Sequence, residues 1–509
     1  MPPETLTEPT GTGPDPAEPE RVDVLIVGAG ISGIGAAFHL RQRCPGKTFA
    51  ILEARASIGG TWDLFRYPGI RSDSDMHTLG YRFRPWTAAK AIANGESILE
   101  YVRDTAREAG IDREVRFGHR VTNAAWSSEE ARWTVTATRD DGTEATISCA
   151  FLMNCTGYYR YDEGYTPEFP GLEDFAGNVI HPQHWPEEPA YEGKRVVVIG
   201  SGATAVTLVP AMARDAAHVT MLQRSPTYVV SVPGEDPIAQ ALHKVLPARA
   251  VYPIVRWKNV LLQSLTYRLA RSRPRLVKKL VRKGVMSALP AGYDVDTHFK
   301  PKYDPWDQRL CMVPDGDLFK VLSDGSAEIV TDQIERFTPG GIKLESGREL
   351  EADLVVTATG LNLLFLGGMR LEVDGEEIEQ SRSLAYKGMM LGDVPNLAFT
   401  IGYTNASWTL KADLVAEYMC RLLNHMDANG YDVCVPHLSD PSVTEEPILD
   451  FTSGYVLRSV ADLPKQGSKE PWKLRQNYAV DLRKLRYGSL EDGAMTFSRR
   501  VRAPERVVA

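Results

Sequence analysis

The fold is decided by VDVLIVGAGISGIGAAFHLRQRCPGKTFAILE, residues 22–53. The apolar run at residues 22–27 is typical of a buried parallel strand, and a helical pattern follows it through Arg43. A second apolar run at residues 49–53 predicts the next strand. This order predicts a strand–helix–strand unit of an α/β fold with a parallel sheet.

The turn between the first strand and the helix fits the G-x-G-x-x-G pattern of dinucleotide sites. Gly28 permits the tight turn, Gly30 lets the backbone approach a pyrophosphate, and Gly33 lets the helix pack close to the strand. The helix N-terminus offers free N–H groups to the phosphates. Glu53, twenty residues beyond Gly33, can accept hydrogen bonds from both hydroxyls of a ribose. Together these features predict a dinucleotide site rather than a purely structural turn.

A second unit of the same kind begins with the apolar run at residues 195–199. The turn after it fits G-x-G-x-x-A, and its candidate cofactor-binding residues are Gly200, Gly202, Ala203, Thr204 and Ala205. The following strand, at residues 219–222, leads into Gln223, Arg224 and Ser225, with no carboxylate to repel a 2′-phosphate. Arg224 can bind such a phosphate through charge-assisted hydrogen bonds. We therefore expect NADPH rather than NADH at this site, the alternative being that Arg224 is a solvated charge.

Composition and charge argue against several classes of protein. A formal net charge of −8 over 509 residues argues against nucleic acid as a partner. None of the six cysteines forms a C-x-x-C pair, so the sequence predicts no zinc knuckle, no redox dithiol and no metal site. The scarcity of cysteines, and the lack of a secretory signal or a long apolar run, lead us to expect a cytoplasmic protein.

The segment between the two units carries a motif that indicates the class of reaction. Residues 175–186, FAGNVIHPQHWP, match F-x-G-x-x-x-H-x-x-x-W-P at its typed positions, which are Phe175, Gly177, His181, Trp185 and Pro186. On this fingerprint the chain resembles the Baeyer–Villiger monooxygenases of the flavin-containing monooxygenase superfamily. The runs GGTWDLFRYPGIRSDSD, residues 59–75, and MLQRSPTY, residues 221–228, are similar to the ethionamide-activating branch of that family.

The resemblance implies the cofactors and the reaction. In that family the N-terminal site holds FAD, which adds to its candidate residues Ser32, Gly60, Thr61, Trp62 and Asp73. NADPH reduces the flavin, O2 adds at flavin C4a, and the resulting peroxyflavin converts ketones to esters. The same family oxidises thioamide and thioether sulfur. The expected substrates are therefore small ketones or sulfur compounds, with O2 and NADPH consumed.

The resemblance also implies a catalytic cation. Both reactions develop negative charge beside the flavin, which a permanent cation would stabilise. The family's active-site arginine matches Arg309, and Asp73 is expected to orient it. The family's preceding lysine, which helps to hold the 2′-phosphate, is Gln308 here, so that more of this binding depends on Arg224. We expect His181 to hydrogen-bond across a hinge between the domains rather than to act as an acid or base.

These motifs predict two Rossmann-like dinucleotide-binding domains with a helical insertion in the second. Residues 1–20 are proline-rich and acidic, and we expect them to form a disordered tail. The other predicted segments are 21–158 for the first part of the FAD-binding domain, 159–345 for the NADPH-binding domain, 346–434 for the second part of the FAD-binding domain and 435–509 for a C-terminal wrapping segment. The helical insertion covers about residues 236–300.

Several alternatives stay open. An N- or S-oxidising flavin monooxygenase without ketone activity would share both cofactor sites, whereas a non-enzymatic FAD-binding sensor would not need the second. The insertion combines many Lys and Arg residues with Leu261, Leu262, Leu265 and Leu269. It is either a solvated helical face or a peripheral contact with anionic lipid at the inner face of the cell membrane.

Overall fold

The computed structural model describes residues 19–187, 191–308, 310–449 and 451–500. Most of the predicted tail, residues 1–18, and the predicted catalytic cation, Arg309, lie outside the described residues. The first strand already begins at Glu20, at the end of the predicted tail, because Glu20 pairs in parallel with Ile147.

A large mixed sheet, here called the first sheet, contains the N-terminal unit. Among the described residues it has nine strands, in the order Glu376–Glu377, Arg370–Val373, His119–Ser127, Arg132–Arg139, Glu144–Asn154, Glu20–Val27, Phe49–Leu52 and Val115–Arg116, with Leu397–Phe399 also paired to Glu144–Asn154. Glu20–Val27 is parallel to both of its neighbours. Its residues 24–27 are buried on both faces of the sheet, which explains the unbroken apolar run.

The second sheet is built on the same plan. Five described strands run parallel in the order Ala327–Thr331, His218–Gln223, Arg195–Ile199, Leu354–Thr357 and Asn178–Ile180. In each sheet a glycine turn and a helix follow a central strand; the helices are Ile31–Arg43 and Ala203–Met212. The predicted fold class is therefore confirmed, whereas the exact domain boundaries stay a prediction.

Two segments of chain connect the sheets and pair with each other. The outgoing segment, Tyr159–Gly164, leaves the first sheet after Glu144–Asn154, and the returning segment, Leu361–Leu363, follows Leu354–Thr357. They form an antiparallel pair, here called the link. The chain therefore crosses between the two sheets through a two-stranded connection.

The helices of the predicted insertion are Pro237–His243, Ala248–Ser272, Pro274–Ala288 and Val295–His298. The second of them is fixed to the rest of the molecule by Arg256, which is buried and donates to the carbonyl oxygens of His77 at 2.7 Å and Gly80 at 2.8 Å. Within the described ranges, no helix combines the length and the hydropathy that a membrane crossing requires.

The remaining elements are helices and short strands, and the short strands pair with one another in small separate sheets. The remaining helices of four or more residues, 3₁₀ turns aside, are Thr61–Leu64, Met76–Leu79, Gly95–Glu108, Asp317–Ser323, Trp408–Asn429, Gly454–Ser459 and Tyr478–Tyr487. The short strands are Val229–Val232, Cys311–Pro314, Ile334–Thr338, Gly341–Leu344, Glu349–Glu351, Ala385–Tyr386, Met390–Leu391, Val433–Pro436, Glu445–Pro447, Lys465–Gly467 and Met495–Ser498. The helix Trp408–Asn429 packs against the helix Ile31–Arg43.

Candidate active site

A cavity of about 1620 Å³ lies where the carboxyl ends of the two sheets meet. Such ends, at the point where the strand order reverses, are the usual ligand sites of parallel sheets. The predicted cofactor and catalytic residues that line it are Gly28, Gly30, Ser32, Glu53, Gly60, Thr61, Trp62, Asp73, Gly200, Gly202, Ala203, Thr204, Arg224 and Ser225. The structure therefore brings residues from both predicted dinucleotide sites to one cavity.

Backbone atoms pack closely around the first glycine turn. Gly28 has a φ of +101°, and a Cβ atom there would lie 2.7 Å from the carbonyl oxygen of Cys155. A Cβ atom on Gly33 would lie 1.9 Å from the carbonyl oxygen of Gly28. On the cavity side, a Cβ atom on Gly60 would lie 3.0 Å from the Cα atom of Gly30. Bare backbone and a helix N-terminus thus face the cavity, as a pyrophosphate requires.

Glu53 lies at the end of the next strand with its carboxylate buried. One carboxylate oxygen accepts the N–H of Ala29 at 2.7 Å, and the other accepts the N–H of Arg55 at 2.9 Å. Burial raises the pKa of Glu53, while these two N–H groups act to lower it. Each carboxylate oxygen keeps acceptor capacity for a ribose hydroxyl. The turn and Glu53 together fit the adenosine half of a dinucleotide such as FAD.

Aromatic side chains form part of the cavity wall beside the first turn. The indole N–H of Trp408 donates to Ser32 Oγ at 2.7 Å, and the ring of Tyr158 stacks on Trp408 with centroids 5.2 Å apart. Nearby, Thr61 Oγ1 lies 3.4 Å from the hydroxyl oxygen of Tyr161. The sequence motifs pointed to Ser32 and Thr61 but not to the two tyrosines, which follow no recognisable spacing.

The second glycine turn leaves more open space than the first. Gly200 has a φ of +139°, and a Cβ atom there would lie 2.3 Å from the carbonyl oxygen of Ala358. A Cβ atom on Gly202, in contrast, would meet no atom of the described chain within 4 Å. Ala205, the last residue of the motif, is fully buried against the sheet. The open space above Gly202 is where a pyrophosphate would approach the helix Ala203–Met212.

Arg224 and Ser225 lie at the exposed end of the strand His218–Gln223, on the wall of the cavity. The Ser201 hydroxyl donates to the Ser225 carbonyl oxygen at 3.2 Å, which ties the two turns of this unit together. An exposed guanidinium at the strand end fits the 2′-phosphate of NADPH rather than the bare ribose of NADH.

The fingerprint segment contacts the link instead of lining the cavity. The backbone N–H of Gln183 donates to His181 Nδ1 at 3.2 Å. His181 Nε2 therefore carries the proton and donates to the carbonyl oxygen of Gly360 at 3.3 Å, directly before the returning segment of the link. Burial lowers the pKa of His181 and so favours this neutral form. His181 thus joins the fingerprint segment to the link.

Gln183 makes a further contact that the sequence did not predict. Its side-chain amide donates to the carbonyl oxygens of Arg160 and Tyr161, both at 2.9 Å, on the outgoing segment of the link. The fingerprint leaves this position untyped, so a single sequence gave no signal for it. The fingerprint therefore contacts both segments of the link.

The other typed residues of the fingerprint pack around these contacts. Phe175 is buried against Phe337, with ring centroids 5.8 Å apart, and a Cβ atom on Gly177 would lie 2.5 Å from the Phe175 ring. Trp185 is half-buried against the core of the second sheet, and Pro186 is exposed. Phe175, Gly177 and Trp185 thus pack the segment against its surroundings, and His181 is the typed residue that adds a polar contact to the link.

Asp73 lies on the cavity wall, in the loop between the helices Thr61–Leu64 and Met76–Leu79. Arg309, which it was predicted to orient, lies outside the described residues, but its neighbours Gln308 and Leu310 both line the cavity. The Arg309–Asp73 contact therefore stays a prediction.

The cysteines offer no redox dithiol. All six are buried and none forms a disulfide with another described cysteine, and burial raises the pKa of both Cys149 and Cys155 to about 12. Thiols with such pKa values are not reactive nucleophiles at neutral pH.

Comparison with known proteins gives two family matches. The model of the flavin-binding monooxygenase-like family matches residues 89–270, and that of the NAD(P)-binding Rossmann-like domain matches residues 26–92. The chain is 58% identical over 482 residues to the FAD-containing monooxygenase EthA of Mycobacterium tuberculosis H37Rv, a match that covers 94% of this chain and 98% of that protein.

Solved structures share the fold at low sequence identity. One is described as an oxidized steroid monooxygenase bound to NADP, with a TM-score of 0.74, 21% identity, and coverage of 94% of this chain and 100% of that chain. Another is an open crystal structure of cyclohexanone monooxygenase, with a TM-score of 0.73, 22% identity and the same coverage. The family predicted from the fingerprint is confirmed, and the chain belongs to the FAD-containing monooxygenases of the flavin-binding monooxygenase-like family.

Proposed function

We propose that the protein is an NADPH-dependent Baeyer–Villiger monooxygenase that converts ketones to esters and also oxidises thioamide or thioether sulfur. In the ketone reaction, one atom of O2 enters the ester and the other leaves as water, while NADPH supplies two electrons. The observation that carries the proposal is the fingerprint segment, which joins both segments of the link between two dinucleotide sites facing one cavity.

The first glycine turn is the proposed FAD site. Gly28, Gly30 and Gly33 would cradle the pyrophosphate, and Glu53 would bind the adenosine ribose. The residues proposed to surround the flavin half are Ser32, Gly60, Thr61, Trp62 and Asp73. Bound FAD would supply the redox chemistry and react with O2.

The second glycine turn is the proposed NADPH site. Its open backbone at Gly202 and the N-terminus of the helix Ala203–Met212 would bind the pyrophosphate. Arg224, with Ser225 beside it, would bind the 2′-phosphate. Because both sites open into the same cavity, a nicotinamide held here could reach a flavin held by the first turn.

The proposed catalytic residue is Arg309, oriented by Asp73. Attack on a ketone carbonyl produces a tetrahedral oxyanion, and a fixed guanidinium stabilises that charge without losing its own proton. Gln308 and Leu310, the residues on either side of position 309, both line the cavity, and this supports the proposal. The same cation would stabilise negative charge during sulfur oxidation.

The substrate class is proposed from the relatives and from the cavity wall. A structure of the same fold is named for cyclohexanone, a cyclic ketone. Part of the wall is apolar and comes from the insertion, with Leu262, Leu269 and Leu280. An apolar wall beside a polar flavin site suits a small organic molecule with one polar reacting group.

The test is to mix the purified flavoprotein with NADPH in air and with aliphatic ketones, aryl ketones or thioamides. We expect NADPH consumption in step with ester or S-oxide formation, identified by mass spectrometry. Sulfur or nitrogen oxidation without any ester would favour an N- or S-oxidising monooxygenase. An absence of sustained NADPH consumption would favour a flavin-binding sensor.

The variant Arg309→Ala tests the mechanism within the same assay. We expect NADPH still to reduce the flavin, while ester formation falls by roughly 100-fold or more because the oxyanion loses its cation. Arg214→Ala, an exposed arginine away from the cavity wall, is the matched control and should leave both steps unchanged. Undiminished ester formation by Arg309→Ala would contradict the assignment.

A further inference from the structure

The insertion concentrates positive charge on an otherwise acidic protein. Residues 237–293 contain twelve Lys or Arg and no Asp or Glu, although the whole chain carries a net charge of −8. The rest of the chain therefore carries −20. This separation of charge means that the insertion attracts anions, whereas the acidic rest of the molecule repels them.

Most of these cations have no acidic neighbour. Arg256 is buried, and four others pair with Asp residues from outside the segment: Lys258, Arg271, Lys278 and Arg282. The remaining cations are exposed and form no ion pair with any described residue; they are Lys244, Arg249, Arg268, Arg273, Arg275, Lys279 and Lys283. Seven unpaired charges therefore face outward from two helices and the turns beside them.

Large apolar side chains are exposed among these charges. On the helix Ala248–Ser272, Ile254, Trp257, Leu261 and Leu265 follow one another at three- and four-residue steps, which places them on one face. Leu261 is 61% exposed and Leu265 is 64% exposed. The next helix, Pro274–Ala288, adds Leu276, Leu280 and Met286, each about half exposed. The apolar stripe and the unpaired cations together are here called the basic face.

The basic face borders the cavity. Leu262 and Leu280 are each 54% exposed and also line the cavity, so they lie at its rim. Leu261 and Leu265, on the same helix as Leu262, are exposed but do not line the cavity. A surface that covered the basic face would therefore lie against an opening of the cavity.

We infer that the basic face docks on an anionic lipid bilayer. Exposed leucines and a tryptophan would enter the headgroup region, and the unpaired lysines and arginines would bind lipid phosphates. An acidic protein would satisfy the cations but would leave the apolar stripe without a matching partner. With the rim against the bilayer, apolar molecules dissolved in lipid would have direct access to the cavity.

Co-sedimentation of the intact flavoprotein with vesicles tests this inference without requiring catalysis. We expect the protein to pellet with vesicles of equal parts phosphatidylcholine and phosphatidylglycerol but not with phosphatidylcholine alone. Raising the salt concentration should release it, because exposed charges are screened. Equal binding to both vesicle types, or to neither, would overturn the inference.

Two variants separate the charges from the apolar stripe. Combining Arg268→Glu, Lys279→Glu and Lys283→Glu should lower the partition coefficient by roughly 100-fold, since each surface cation contributes about fivefold near an anionic membrane. Combining Leu261→Ser with Leu265→Ser should lower it by roughly tenfold. These residues lie outside the cavity wall, so flavin content and NADPH oxidation with a water-soluble ketone should stay unchanged.

Matched controls lie on elements outside the insertion. Arg113→Glu reverses an exposed cation, and Tyr487→Ser removes an apolar side chain that is 72% exposed. Both should bind vesicles as the unmodified chain does. If they lose binding as strongly as the variants of the basic face, the site is wrong. If the leucine variant instead abolishes self-association in the absence of lipid, the occupant is a second copy and the inference fails.

Discussion

At the scale of single residues, the hydrogen bonds of Glu53 lead to a prediction about FAD binding at the first glycine turn. Its two carboxylate oxygens already accept the N–H groups of Ala29 and Arg55. Glu53→Gln would turn an NH2 group toward one of these donors and leave a buried N–H unpaired. We expect FAD to bind about 10- to 100-fold more weakly, because the ribose would meet an NH2 group in place of a charged acceptor oxygen, and a hydrogen bond to a charged group contributes about 1.5–3 kcal/mol.

Titration of the apoprotein with FAD, followed by flavin fluorescence, measures this change. Glu100→Gln, on the exposed side of the helix Gly95–Glu108, is the matched control and should bind FAD normally. If Glu53→Gln bound FAD as tightly as the control, Glu53 would not belong to the FAD site.

Arg224 is the residue on which the preference for NADPH depends. The family resemblance implies a second cation for the 2′-phosphate at the position of Gln308, which carries no charge, so Arg224→Ala should remove most of that recognition. We expect the KM for NADPH to rise about 10- to 100-fold while the KM for NADH stays within about twofold. Steady-state rates with each nucleotide measure both values. An equal rise for both would mean that Arg224 acts on the fold and not on the phosphate.

At the scale of an element, we expect a glycine-to-alanine substitution to affect protein stability differently in the two glycine turns. Gly33→Ala places a Cβ atom against the Gly28 carbonyl, so we expect a loss of stability of about 1–3 kcal/mol and of bound flavin. Gly202→Ala meets no described atom, so its stability should change by less than about 0.5 kcal/mol. If NADPH lies there, its KM should still rise by about tenfold or more.

Thermal unfolding monitored by flavin release, together with the KM for NADPH, distinguishes the two turns. A normal KM in Gly202→Ala would place the pyrophosphate elsewhere. A stable, flavin-loaded Gly33→Ala protein would show that the first turn can relax, contrary to its packing.

The link gives the molecule a pH-sensitive element at His181. Burial lowers the pKa of His181 below its unfolded value of about 6.5, so the neutral form stabilises the fold above that value. This stability is lost as the pH falls through the folded pKa, because an imidazolium cannot accept the N–H of Gln183. Between about pH 7.5 and pH 5.5, we expect Tm to fall more in the unmodified protein than in His181→Gln.

Calorimetry across that pH range tests the link. His243→Gln, at the exposed end of the helix Pro237–His243, is the matched control and should keep the full pH dependence. A pH profile of Tm that His181→Gln leaves unchanged would remove His181 from any role in holding the link.

At the scale of the whole molecule, the sequence predicted the parts that local patterns determine. The strand Arg195–Ile199 and the helix that follows it agree with the prediction, as do the constraints on Gly28 and Gly33, because each depends on neighbours close in sequence. The shared cavity also follows from the rule that parallel sheets bind ligands at their carboxyl ends.

Contacts between distant segments could not be predicted in the same way. Trp408 and Ser32 are 376 residues apart, and Asn259 donates to Asp75 across 184 residues. Neither pair has a characteristic spacing, and side chains meet at such distances only after the sheets and the insertion have packed. The fingerprint predicted that His181 contacts the hinge but gave no sign of Gln183, which binds the other segment of the link.

The reaction that we propose for this protein transfers one atom of O2 to a ketone at the expense of NADPH. Isotope labelling tests this reaction most directly. The flavoprotein, NADPH and a ketone are incubated under 18O2, and the mass of the ester is measured by mass spectrometry. We expect one 18O atom in each ester molecule, and none when the label is supplied as water instead. An ester that takes its oxygen from water, or a ketone that stays unchanged while NADPH is consumed, would contradict the proposed reaction.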